Sequence, residues 1–167
     1  LSSVDAIVTD RSYPKLKGAG VGHFAYREVE GATPLLSLQE ALFRNRQSRF
    51  GAVRSPFGVV VEEINEGLFK TLKELSFKEF SPALICFKPH QSYLHSARQF
   101  FEGLQKSQIS APVILNFAYS GPPEEVILQA SAECGSLLTD GLGEGLFLEG
   151  PYEIEFLRSL SFGILQA

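Results

Sequence analysis

A chain of 167 residues is long enough for one domain with a sizeable core, or at most two very small ones. With 44% hydrophobic and 20% charged residues it has an ordinary globular composition, which excludes disordered and fibrous classes, and no apolar run is long enough to span a membrane. The net charge of −4 conceals +3 over residues 1–60 and −7 over 61–167, and so acidic a C-terminal part argues against a nucleic-acid partner.

In chain order, the N-terminal part (residues 1–62) is the less regular. Ala6–Thr9 and Phe24–Val29 read as strands separated by the glycine-rich stretch 18–22. Ser37–Asn45 has a helical face in Leu38, Ala41 and Leu42, and Arg44, Arg46, Arg49 and Arg54 follow as the one basic concentration. Phe57–Ile64 reads as a strand and Leu68–Leu75 as a helix with Leu68, Leu72 and Leu75 inward.

Residues 63–167 are more periodic. Pro82 precedes the apolar run Ala83–Phe87, a buried strand, and Ser92 is the expected N-cap of a helix over Tyr93–Lys106. That helix places Leu94, Ala97, Phe100, Phe101 and Leu104 on one face. Val113–Phe117 repeats the strand pattern, and Pro122-Pro123-Glu124-Glu125 opens a helix with Val126, Ile127, Ala130, Cys134, Leu137 and Leu138 inward. Leu146–Glu149 is another strand. A last helix from about Glu153 turns Ile154, Leu157, Leu160 and Ile164 inward. These readings give about five strands alternating with helices, an α/β fold of βα units around a mainly parallel sheet. A complete eight-unit barrel needs about 250 residues, so a partial or reduced TIM-barrel-like sheet is expected instead.

In such folds ligands meet the C-terminal ends of the strands and the N-termini of the following helices. The polar side chains there are Lys88 and His90, Asn116 and Ser120, and Glu149; they and Asp140 are the candidate ligand loops. The segment Asp140–Gly145 has the glycines of a phosphate loop but stands between a helix and a strand, the reverse of what that motif requires. Its glycines instead suit a tight connection at positive φ, with Gly141 ending the helix. His90 and His95 are five apart and His23 is remote, so no metal pair is spaced for one helix face, and Cys86 and Cys134 both fall on apolar faces. The acidic set Asp140, Glu144 and Glu149 has no spacing that sets two carboxylates face to face. The residues by themselves assemble no catalytic constellation and no metal site.

The stretches APVILNFAYS, ECGSLLTD, DGLGEGLFLEG and FLRSLSFGILQA closely resemble a segment of the three-domain 4-hydroxy-3-methylbut-2-enyl diphosphate synthases. The resemblance is clear over about residues 83–167 and weak before them. It implies that the chain is the domain inserted between the substrate-binding barrel and the C-terminal iron–sulfur domain of that enzyme. The absence of any methionine fits an interior segment. By the same resemblance, the intact enzyme reductively converts 2-C-methyl-D-erythritol 2,4-cyclodiphosphate to 4-hydroxy-3-methylbut-2-enyl diphosphate in the methylerythritol phosphate pathway of isoprenoid biosynthesis. Its [4Fe–4S] cluster ligands lie outside this chain, so none is carried over to a residue here.

The expectation is therefore a single non-catalytic spacer domain whose partners are the two flanking domains of the same polypeptide. Its setting would be the bacterial cytoplasm or the plastid stroma. Ferredoxin or flavodoxin is the expected electron donor; the arginines at 44, 46, 49 and 54 read first as a solvated loop after the helix and, as the alternative, as a docking patch for that acidic carrier. The alternative is a free-standing TIM-barrel-like enzyme or binding module for a small phosphorylated or anionic ligand, built on Lys88, His90, Asn116 and Asp140.

Overall fold

The computed structural model describes residues 6–9, 22–25, 33–47, 57–76 and 82–167. Seven strands form one sheet: β1 (Ala6–Thr9), β2 (Gly22–Ala25), β3 (Thr33–Ser37), β4 (Gly58–Val61), β5 (Leu84–Phe87), β6 (Val113–Ala118) and β7 (Gly145–Glu149). They lie side by side in sequence order and every neighbouring pair is parallel. Five helices follow the strands from β3 onward: α1 (Leu38–Gln47), α2 (Leu68–Ser76), α3 (Tyr93–Lys106), α4 (Pro123–Thr139) and α5 (Ile154–Gln166). About five strands were expected and seven are present, of which β3 alone overlaps no run read as a strand. Thr33–Ser37 escapes a sequence reading because Pro34 demotes so short a run, yet Pro34 sits in register with Ala25 of β2.

Sequential parallel order has a geometric consequence. Right-handed crossovers between adjacent strands all place their helices on the same face of the sheet. The side chains alternate accordingly. Leu36, Val59, Val61, Ile85, Phe87, Val113, Leu115, Phe117 and Leu148 point into the main core with the helices. Leu35, Leu84 and Cys86, with Val60 and Ile114 beside them, form a separate cluster on the opposite face. A sheet wound in one direction is the arrangement from which closed barrels are made. Here β1 and β7 are its two ends, and the sheet is open among the described residues.

The helices bury the faces their periodicity indicates, with three exceptions. Leu68, Leu72 and Leu75 of α2, Ala97, Phe100 and Leu104 of α3, and Val126, Ala130, Cys134 and Leu137 of α4 are all buried. Leu94 is exposed, because Tyr93 takes the inward position and stacks on Phe117 at 4.6 Å between ring centroids. Ile127 turns out of the core toward α5, and Ile154, the first residue of α5, is 73% exposed.

The helix starts are made differently. Ser37 and Glu40 form a capping box: the Ser37 amide donates to Glu40 Oε2 at 2.9 Å and the Glu40 amide donates to Ser37 Oγ at 3.3 Å. The Ser37 hydroxyl and amide hold the Glu40 carboxyl below its ordinary pKa. A carboxyl whose pKa is lowered by folding stabilises the fold above its unfolded pKa of about 4.3 and loses that effect as pH falls through the folded value. Ser37→Ala is therefore expected to cost about 1 kcal/mol at neutral pH, with the difference from wild type fading as acid protonates Glu40; urea titrations across that range measure both. Ser92 occupies the N-cap of α3 as expected but adopts φ 53° and makes no capping hydrogen bond with its side chain. Pro123 stands at the first position of α4, with Glu124 and Glu125 in its first turn where the helix dipole favours them.

Candidate functional site

Parallel pairing brings the C-terminal ends of β5, β6 and β7 together, and with them three side chains on the helix-free face. Asn116 of β6 is fully buried and lies in register with Phe147 of β7. Lys88 follows β5 directly, and Glu149 ends β7. The Lys88 ammonium donates to both Glu149 oxygens, at 2.9 and 3.1 Å. Asn116 Nδ2 donates to Glu149 Oε1 at 2.8 Å and lies 3.7 Å from Cys86 Sγ. This is a partly buried ion pair braced by an amide, with side-chain exposures of 27% for Lys88 and 30% for Glu149. The cation and anion neutralise one another, so the cluster presents no excess of positive charge to an anionic ligand.

Removing one partner of such a pair strands the other. Lys88→Met is expected to cost about 1–2 kcal/mol, because the carboxylate keeps only its bond from Asn116. Glu149→Gln, which retains an acceptor for Asn116, is expected to cost less. Denaturation of the two variants side by side measures the order.

The other sequence candidates lie elsewhere. His90 and Ser120 are exposed in the loops after β5 and β6, at the same end of the sheet as the ion pair. Asp140 caps α4 at the opposite end, where it is bonded to Arg98 of α3. It is separated from Glu149 by the length of β7, about 13 Å at 3.3 Å per residue. Glu144 is at that far end too, accepting the Val113 amide at 2.6 Å. The three carboxylates therefore assemble no acid/base pair. Gly141 and Gly143 have φ of 74° and 111°, as a tight helix-to-strand connection requires. Arg44 is exposed on α1, Arg46 belongs to the same helix, and Arg49 and Arg54 lie outside the described residues.

Tyrosines tie the loops around the strand ends, a feature that no spacing signals. The Tyr93 hydroxyl donates to the Ala118 carbonyl, and burial raises its pKa. Tyr119 donates to Glu133 Oε2 at 2.8 Å, its pKa raised strongly by burial and next by Cys134. Tyr152 donates to the Gly121 carbonyl at 2.8 Å. Burial also pushes the Cys134 thiol up to about 11, so it stays protonated at neutral pH. Cys86 and Cys134 belong to clusters on opposite faces of the sheet, so the two thiols do not fit a shared iron–sulfur or metal centre. Among the described residues no group of three His, Cys, Asp or Glu is placed to hold a metal ion. No described helix is long and apolar enough to cross a membrane.

Comparison with known proteins supplies the relationship. Over 158 residues, 91% of its length, the chain is 46% identical to 4-hydroxy-3-methylbut-2-en-1-yl diphosphate synthase (flavodoxin) of Protochlamydia amoebophila. The chain is homologous to part of this synthase. It spans about a quarter of that relative, 24% of its length. The chloroplastic ferredoxin-named synthase of Arabidopsis thaliana is 41% identical over 78 residues, which is 45% of the chain and 10% of that enzyme. The flavodoxin-named synthase of Chlamydia abortus is 36% identical over 89 residues, 52% of the chain and 14% of the enzyme. No family model and no solved structure matches the chain. The bacterial synthase extends the likeness well beyond residues 83–167, to nearly the whole chain, whereas the plant synthase matches less than half of it.

Proposed function

We propose that the chain is one structural domain, residues 1–167, inserted in a longer 4-hydroxy-3-methylbut-2-en-1-yl diphosphate synthase. It holds the iron–sulfur domain at a set distance and orientation from the substrate barrel and takes no part in the chemistry. The observation that carries this reading is the state of the strand-end cluster. The position where a parallel α/β sheet ordinarily receives a ligand holds an ion pair bonded internally, Lys88–Glu149 with Asn116. A match along nearly the whole chain to only a quarter of the relative supports a domain within a larger enzyme. Residues 63–167 form its regular βα-repeat part and residues 1–62 the less regular one. The reductive conversion of the cyclic diphosphate, the [4Fe–4S] cluster and the ferredoxin or flavodoxin donor belong to that whole enzyme, in the bacterial cytoplasm or the plastid stroma. None of these is assigned to a residue of this chain.

Steady-state turnover of the full-length synthase carrying Lys88→Met or Glu149→Gln tests the reading. A spacer leaves KM for the cyclodiphosphate within about twofold of wild type, because uniform substrate binding is untouched. A rise in KM of about tenfold or more, at unchanged folding, would mean that the cluster binds substrate, and the spacer reading would be abandoned.

A further inference from the structure

An apolar groove of about 410 Å³ lies between α4 and α5. Ile127, Ser131 and Gly135 line it from α4, and Phe156, Leu160 and Gly163 are among its lining from α5. Both glycines leave open space where a side chain would project, with no atom within 4 Å of an added Cβ. Ile127 is 42% exposed in the groove, and the adjacent Leu128 is 73% exposed. Small residues at helical spacing with large apolar ones beside them let a third helix approach closely. The two helices that line it begin with acidic residues. Glu124 and Glu125 in the first turn of α4, Glu153 at the N-cap of α5 and Glu155 in its first turn are exposed, and Arg158 is the only Lys or Arg in residues 121–167. That arginine is already bonded to Glu155.

We infer that this groove is the seat of an amphipathic helix from the remainder of the synthase polypeptide. That helix presents large apolar side chains to Gly135 and Gly163 and Lys or Arg toward the acidic starts of α4 and α5. The inference rests on the proposed role as a domain of a longer enzyme, since three quarters of the homologous synthase lies outside the matched segment. Charge complementarity selects a basic partner, and a flanking domain of the same polypeptide is present at high effective concentration whatever the enzyme's dilution. Docking there fixes the orientation of the flanking domain, which a connecting peptide alone leaves free.

Maleimide labelling of the full-length synthase, read peptide by peptide by mass spectrometry, tests this. Ser159→Cys places a thiol in the groove, and Gln105→Cys on α3 is the exposed control. At high dilution Ser159→Cys is expected to react about tenfold more slowly than the control, since a docked fraction near nine-tenths gives that protection. Replacing Glu124, Glu125 and Glu153 together by Gln is expected to restore much of its reactivity, most clearly at low salt. Equal labelling of the two sites would overturn the inference. Protection that appears only as enzyme concentration rises would also overturn it, by assigning the groove to a second copy. Neither result bears on the spacer reading, which stands or falls on KM.

Discussion

Phe100→Ala is expected to destabilise the fold by about 3–5 kcal/mol, a large share of the 5–15 kcal/mol available to a domain. Phe100 is fully buried in α3 at the centre of an aromatic cluster. Its ring stacks on Phe87 of β5 at 4.3 Å with an interplanar angle of 4°, and it meets Phe69 of α2 at 6.0 Å and Phe101 at 5.9 Å. Truncation removes the apolar burial, the ring–ring contacts and the filler between sheet and helices. Phe87 is held by the β5 ladder and cannot collapse into the space, so the cavity term is retained in full. Phe101, only partly buried, serves as the internal comparison and should cost less than half as much. Urea unfolding of both variants checks this, with a lowered midpoint at unchanged slope. A loss below about 1 kcal/mol for Phe100→Ala would show that α3 does not pack on β5 as described.

The second large effect runs against helix propensity. Gly to Ala in a helix ordinarily stabilises by about 0.5–1 kcal/mol. At Gly103 of α3 the sign reverses. An added Cβ would overlap the tip of the Phe69 ring, so the ring of α2 lies against the α3 backbone there. Gly103→Ala is expected to cost about 1–3 kcal/mol net as Phe69 is displaced, lowering Tm by roughly 2–4 °C for each kcal/mol. In a Phe69→Ala background the same substitution should become neutral or favourable, and thermal melts of the double-mutant cycle measure the coupling. Gly135→Ala and Gly163→Ala, with nothing near the new methyl group, should show the ordinary gain. Three glycines of identical helical context thus separate according to what stands opposite them.

That separation shows where sequence reading stops. All three glycines are alike to a propensity scale, and only the neighbour of each determines its role. The helix over Tyr93–Lys106 was legible to the residue because Ala97, Phe100 and Leu104 repeat at helical spacing with a polar flank. β5 and β6 were legible because strands buried on both faces read as short apolar runs, and β7 because a short apolar run follows a glycine-rich turn. β3 was not, since Pro34 interrupts the signal and the strand is defined by its pairing with β2 and β4. Lys88, Asn116 and Glu149 could each be placed at a strand end from sequence. Their bonding to one another could not, because it depends on strand order and register across positions 61 and 33 residues apart.

The sequence by itself determined the class of fold, a parallel α/β sheet of βα units, and the family resemblance of its C-terminal half. Both are local properties: periodicity of burial along one element, and short stretches of matching residues. The tertiary structure alone decided that the seven strands follow sequence order, that the sheet stays open among the described residues, and that the candidate carboxylates lie at opposite ends of β7. It also decided that the cation at the ligand end is already engaged by Glu149 and that an apolar groove opens between α4 and α5. Those are relations between elements distant in sequence, set by which faces must be buried together, and no single segment carries them.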